Sequence, residues 1–226
     1  MRITYRSSNI KEYWNDRWSS IPVDMAIANE NKYPLKYAID AVALSSEPIL
    51  EAGCGAGRVL RYFHQRSKNI YGIDYIDCAI NKLKEVDKTL NVQVEDIKNL
   101  SFQNETFGCV LAFGLYHGLE NGLSTAIKET HRVIKPNGYL CASFRSDNIQ
   151  TRINDFISWW KNSKKFLRKD KFFHKMNLTK SEFVNLLEKN GFRVLSIEPV
   201  ENMPILYKFA FFRNKRHRHF DENLAR

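Results

Sequence analysis

Long apolar runs are missing from this sequence. The longest, such as Val110–Leu115 and Ile205–Phe212, fall well short of the roughly 20 residues that a helix needs to cross a bilayer, so no membrane span is expected. The polar opening Met1–Asn9 has no apolar stretch of the kind a secretory signal carries, and the expected compartment is the cytoplasm. Cysteine is scarce too. Cys54, Cys78, Cys109 and Cys141 lie far apart and form no C-x-x-C pair, which argues against a zinc knuckle and against a clustered iron–sulfur site. Reduced, mostly buried thiols and no metal are expected. Repeats and low-complexity linkers are absent as well, so residues 1–226 are read as a single domain with a full core.

Negative charge is the other shortage. Lys and Arg number 35 against 25 Asp and Glu, a formal net charge of +10 at pH 7, which suits anionic partners: nucleic acid, a phosphorylated metabolite or a membrane surface. Lys161, Lys164, Lys165, Arg168, Lys169, Lys171 and Lys175 crowd one stretch, and Arg213, Lys215, Arg216 and Arg218 begin a basic tail over 213–226.

What is present is an alternation of short β-rich runs with helical patterns, the mark of βαβ units and a mainly parallel sheet. Strands are expected at Ile49–Ala52, Ile70–Asp74, Val92–Glu95, Cys109–Phe113 and Gly138–Phe144, with helices over Val59–Gln65, Cys78–Val86 and Thr125–Val133 between them. Pro136-Asn137-Gly138 reads as a turn ending the last of these helices. The rhythm then breaks. Residues 145–177 are basic and aromatic, after which Thr179, with Glu182 three residues on, opens a helix over Ser181–Asn190 closed by Gly191. Phe192–Glu198 and Leu206–Phe212 are expected as two last strands, and Met1–Ser8 as a frayed end.

The strongest motif is Glu51-Ala52-Gly53-Cys54-Gly55-Ala56-Gly57, directly after a strand and before a helix. Glycines permit a tight turn and a close approach of backbone to a ligand, and the helix N-terminus offers unpaired N–H groups. The dinucleotide fingerprint is G-x-G-x-x-G. This loop is G-x-G-x-G after an acid, which does not fit NAD. Asp74 closes the second strand, where a carboxylate can accept hydrogen bonds from both hydroxyls of a ribose.

These residues resemble the class I S-adenosylmethionine (SAM)-dependent methyltransferases, in particular their small-molecule, type 11-like branch, over roughly 45–212. Residues 51–57 look like the family's SAM loop, with Glu51, Gly53, Cys54, Gly55 and Gly57 as cofactor contacts. Tyr71-Gly72-Ile73-Asp74, with Tyr75, looks like its ribose-binding strand end. Glu95-Asp96-Ile97 is similar to the turn that holds adenine, where the Asp96 side chain would accept from the exocyclic amine and the next backbone N–H would reach the ring. Phe113-Gly114-Leu115-Tyr116-His117 aligns with the exit of the fourth strand beside the methyl group, and 132–138 with the helix-to-strand-five signature. Gly108, Ser101 and Asn137 depart from residues common in the family. The resemblance implies an α/β, Rossmann-like, seven-stranded and mostly parallel sheet with one antiparallel strand, helices on both faces and a small cap inserted after strand five. It implies SAM as cofactor and S-adenosylhomocysteine as product.

Several candidates carry two readings. Glu51 either caps local amides or, by the family analogy, lies near the methionine amino group. Asp96 alone would be a solvated turn acid. His117 is either a general base, which its ordinary pKa suits, or a packing residue. Methyl transfer from a sulfonium needs alignment and exclusion of water more than a base. Tyr13, Trp14 and Trp18 lie in a segment, 1–40, read equally as a lid over the cofactor and as core packing. Within 145–177, read as an acceptor cap, Trp159, Trp160 and Phe173 would join Tyr13, Trp14, Tyr116 and His117 around the acceptor. Lys164, Lys165, Arg168 and Lys169 would draw in an anion; a solvated helix face over a buried aromatic stripe is the competing reading.

The resulting expectation is an enzyme methylating an O, N or carboxylate of a small molecule or glycan, with an anionic acceptor suited to the charge. An RNA methyltransferase is the alternative. Against it, strand four ends in Phe113-Gly114-Leu115-Tyr116 in place of an Asn/Asp-Pro-Pro-Tyr turn, and no Pro-Cys pair occurs. A SAM-binding domain without turnover is the third.

Overall fold

The computed structural model describes residues 1–6, 10–21, 30–161 and 172–200. The chain runs β1 (Arg2–Arg6), α1 (Ile10–Ser20), α2 (Leu35–Ala43), β2 (Ile49–Ala52), α3 (Arg58–His64), β3 (Ile70–Asp74), α4 (Asp77–Val86), β4 (Asn91–Val94) and β5 (Phe107–Ala112). It continues through a short 3-10 turn (Tyr116–Gly118), α5 (Leu123–Val133), β6 (Ile134–Ala142), α6 (Ile149–Lys161), β7 (Phe172–Asn177) and α7 (Lys180–Lys189).

The central sheet is parallel, in the order β4-β3-β2-β5-β6. Its strands are apolar on both sides because both faces are covered, and the side-chain period of two sorts them. From β2 and β5, Ile49, Cys109 and Leu111 face the layer of α2, α3 and α4, with Leu35, Leu60, Phe63 and Leu83. Leu50, Ala52, Val110 and Ala112 face the other side, with Ala126 and Ile127 of α5 and Phe183 of α7. Burying a Leu or Ile of this kind contributes roughly 1.5–3 kcal/mol, so these two cores fix the register of the sheet. The order reverses between β2 and β5, and ligands of open α/β sheets bind at the carboxyl ends of such a pair.

The α/β Rossmann-like class is as expected; the strand inventory is not. Five strands form the parallel sheet, and a separate antiparallel pair joins β1 to β7. Residues 192–200 carry no strand, and Leu206–Phe212 lies outside the described residues. Residues 2–6, expected to fray, are held because β7 offers an edge to pair with, and the Asn177 side chain donates to the Arg2 carbonyl at 3.1 Å. The 145–177 segment accordingly contains a helix and a paired strand. Pro136-Asn137-Gly138 falls inside β6 as a bulge against β5, with Asn137 at φ +62°, since helix α5 has already ended at Val133.

Gly108 has a steric reason. A Cβ there would lie 1.9 Å from the Ser46 carbonyl oxygen, and the Gly108 N–H donates to the Pro48 carbonyl at 2.9 Å. Arg132 explains part of the helix-to-strand signature: its guanidinium donates to the carbonyls of Phe102 (2.8 Å) and Leu100 (3.0 Å), tying α5 to the loop before β5.

Candidate functional site

The glycine loop is fastened to the end of β3. The N–H groups of Gly53 and Cys54 both donate to the Ile73 carbonyl, at 2.8 and 2.9 Å, and the Gly55 N–H donates to Asp74 Oδ2 at 2.9 Å. Asp74 Oδ1 accepts from the Ile76 N–H at 3.0 Å. The carboxylate thus holds backbone amides from both the loop and the strand end, that of Tyr75 included, on about four lone-pair sites. Asp74 is 6% exposed, and burial pushes its carboxyl above the usual range despite the amides.

Glu51, also 6% exposed, reaches from the end of β2 to the first turn of α3, where Oε2 accepts the Leu60 N–H at 2.7 Å. Gly57, in the left-handed region, precedes α3 without a side-chain cap, so the carboxyl of the preceding strand satisfies an orphan donor of that helix. Desolvation pushes Glu51 up to about 8. The amide-capping reading is therefore realised, and a buried acid remains that an approaching ammonium would ionise.

Gly55 has φ +51°, and a Cβ there would lie 2.5 Å from Trp18 Cζ2. The nearest neighbour of Gly55 is thus the indole of Trp18 in the N-terminal helix. Trp18 stacks on Trp14 (5.4 Å between centroids), Tyr13 meets Trp14 edge-on, and Arg17 lies over both indoles. Lys82 of α4 clamps the end of α1 by donating to the carbonyls of Trp18 and Ser19.

Asp96 sits exposed after β4, closing a local turn: Oδ1 accepts the Lys98 N–H at 3.0 Å, and Oδ2 pairs with Lys98 Nζ at 3.3 Å. Ile97 is buried in the core, and Tyr75 is exposed just past Asp74. At the exit of β5, Leu115 packs against Gly53, whose Cβ position is 3.1 Å from Leu115 Cδ1, so the β5 and β2 loops touch. Phe113 meets Tyr33 edge-on at 5.7 Å; the Tyr33 hydroxyl and Ser143 Oγ are 3.0 Å apart, and Ser143 Oγ accepts the Gly114 N–H at 2.9 Å. Sequence reasoning missed Tyr33 and Ser143, which lack any motif and meet only through the fold.

His117 stands in the turn after β5 with Nδ1 buried and, among the described residues, without a hydrogen-bond partner. Desolvation, then the charges of Lys175, Arg145 and His174, push its pKa down to about 3. It is neutral at pH 7 and a weak base in this state.

Two expected acceptor contacts require correction. Tyr116 is 0% exposed, with its hydroxyl 2.8 Å from Thr130 Oγ1; its ring fills the core under α5 and α7, where no acceptor can touch it. Phe173 is 3% exposed and packs in the same core, because β7 turns that side chain inward. Trp160 is 69% exposed on α6. The Trp159 side chain, Lys164, Lys165, Arg168 and Lys169 lie outside what the structure describes.

Comparison with known proteins agrees with this geometry. The family model described as a methyltransferase domain matches residues 50–142. A curated protein of Bacillus subtilis (strain 168), the uncharacterized methyltransferase YodH, is 28% identical over 98 residues, 42% of this chain and 41% of that protein. The chain thus spans about two fifths of the length of the curated relative it matches. Among solved structures, a SAM-dependent methyltransferase of Methanosarcina mazei superposes with a TM-score of 0.56 at 23% identity, covering 70% of this chain and 84% of that one. A SAM-dependent methyltransferase of Thermotoga maritima gives 0.55 at 20% identity, covering 82% and 80%. The chain solved in complex with the Haloferax volcanii Trm112 methyltransferase activator gives 0.57 at 16% identity, covering 84% and 80%. At these identities the structures speak for the shared fold, and the sequence match says that residues 50–142 are similar to the methyltransferase-domain family.

Proposed function

We propose that the protein transfers a methyl group from SAM to an O, N or carboxylate of a small-molecule or glycan acceptor. The observation that carries this reading is the glycine loop pinned between β2 and β3, with two buried carboxyls, Glu51 and Asp74, at the strand ends on either side of it. That donor and acceptor set fits the cofactor: Asp74 keeps a lone-pair site for the ribose, and Glu51 is a buried acid for the methionine ammonium. Exposed Tyr75 and Asp96 follow the next two strands, where the adenosine would extend. Bound SAM would supply a methyl group already activated on a sulfonium. The chain's part is alignment and exclusion of water, for which the Tyr13–Trp14–Trp18 helix above the loop and the Phe113–Tyr33 pair at the β5 exit are placed.

The formal charge of +10 favours an anionic acceptor and keeps an RNA substrate as the second reading. Calorimetry with S-adenosylhomocysteine tests the core of the proposal. Binding that is lost in a folded Asp74→Ala protein is expected; no binding to the wild type would overturn it.

A further inference from the structure

Helix α6 is turned the wrong way round for a helix that packs on its own core. Its polar side faces the protein: Asp155 pairs with Arg145 at 2.7 Å and with Arg2 at 2.8 Å, and Thr151 Oγ1 donates to the Ser146 carbonyl at 2.8 Å. Its apolar side faces out. Ile149 is 76% exposed, Phe156 62% and Trp160 69%, with Ile153 half-buried between them. At about 100° per residue, these positions (i, i+4, i+7 and i+11) fall within a stripe roughly 60° wide and, at about 1.5 Å per residue, roughly 16 Å long. Among the described residues, neither apolar core includes a side chain of α6. An exposed apolar stripe of this kind marks an interaction surface.

Charge narrows the choice of partner. Residues 162–171, which follow the helix directly, carry five Lys or Arg against one Asp, and the whole chain has a formal net charge of +10. We propose that the Ile149–Ile153–Phe156–Trp160 face of α6 docks on the surface of an anionic lipid bilayer, with the helix lying in the plane of the interface and its apolar stripe below the headgroups. Tryptophan is a side chain that favours this boundary, where one end is apolar and the other wet. An isologous dimer through the same face would bring two chains of +10 together against their repulsion. RNA would gain little from it, because two of the four side chains are isoleucines with no ring to stack on a base. The proposal is independent of the methyltransferase reading, since no part of it involves the cofactor.

Flotation of the full chain with vesicles tests it, using phosphatidylcholine alone and equal parts of phosphatidylcholine and phosphatidylglycerol, at low and at high sodium chloride. Binding to the phosphatidylglycerol vesicles is expected, weakened by salt and at least roughly tenfold weaker without the anionic lipid. The tryptophan emission that is lost in Trp160→Phe should move to the blue when those vesicles are added. Phe156→Gln combined with Trp160→Gln, both at exposed positions, should cut the partition roughly tenfold or more. Ile149→Gln, checked by circular dichroism, serves if that double variant does not fold. No binding to the anionic vesicles, or equal binding by the folded variants, overturns the proposal. So do the outcomes that give the face another occupant: a dimer in light scattering that the double variant dissolves, RNA binding that it abolishes, or a Trp160 emission already blue and shielded from iodide before vesicles are added, as when another part of this chain lies over it.

Discussion

Replacing Glu51 by Gln should make the unliganded protein more stable and a worse cofactor binder. The carboxyl is buried and titrates at about 8, against 4.5 for the exposed group. Between those values the native state keeps a proton that the unfolded chain has lost, so stability falls as pH rises through the window. At pH 7, about 2.5 units above the unfolded pKa, the deficit is about 3 kcal/mol at 1.36 kcal/mol per unit. Gln is permanently neutral and retains an oxygen for the Leu60 N–H, now 2.7 Å from the carboxyl. Its second amide proton needs a partner, so the expected net gain is about 1–3 kcal/mol, or roughly 2–10 °C in Tm for a domain of this size. The wild type should also release close to one proton on binding SAM near pH 7, because an ammonium beside Glu51 favours the ionised form. Thermal unfolding from acid to mild alkali measures the first effect, and calorimetry in two buffers of different ionisation enthalpy the second. Wild-type stability that falls no faster with pH than that of Glu51→Gln would refute the reasoning.

Asp74→Ala removes the acceptor of the Gly55 and Ile76 amides, so it should lower stability as well as cut S-adenosylhomocysteine affinity about 10–150-fold, as expected for 1.5–3 kcal/mol; Asp74→Asn, which keeps one acceptor oxygen, separates the two effects by calorimetry. Gly55→Val would force a branched side chain into φ +51° and onto the Trp18 ring. A changed tryptophan emission and loss of the thermal shift by S-adenosylhomocysteine are expected, and an undiminished shift would take the cofactor away from this loop. Tyr116→Phe deletes a buried hydroxyl bonded to Thr130. It should cost about 1 kcal/mol of stability and leave S-adenosylhomocysteine affinity as it was; a changed affinity would return Tyr116 to the site.

The βαβ core was legible in the sequence because its signals are local. Short apolar runs mark β2, β3 and β5, the G-x-G-x-G spacing between strand and helix marks the loop, and Asp74 follows from its place at a strand end. The Thr179–Glu182 capping box, written in four consecutive residues, forms with the Glu182 N–H donating to Thr179 Oγ1 at 3.2 Å and the Thr179 N–H to Glu182 at 2.8 Å. What the tertiary structure alone decided depends on partners far away in the chain. β1 is a strand because β7, some 170 residues later, supplies its hydrogen bonds. Trp18 sits on Gly55 because Lys82 of α4 clamps the end of its helix. Tyr116 and Phe173 look like wall residues in a list of aromatics, and become core when α5, α7 and β7 close over them. His117 meets β7, more than 50 residues on, only because that strand packs against the turn that carries it. Spacing along a chain encodes which face of a strand or helix a residue occupies; what stands opposite that face is set only when the elements pack.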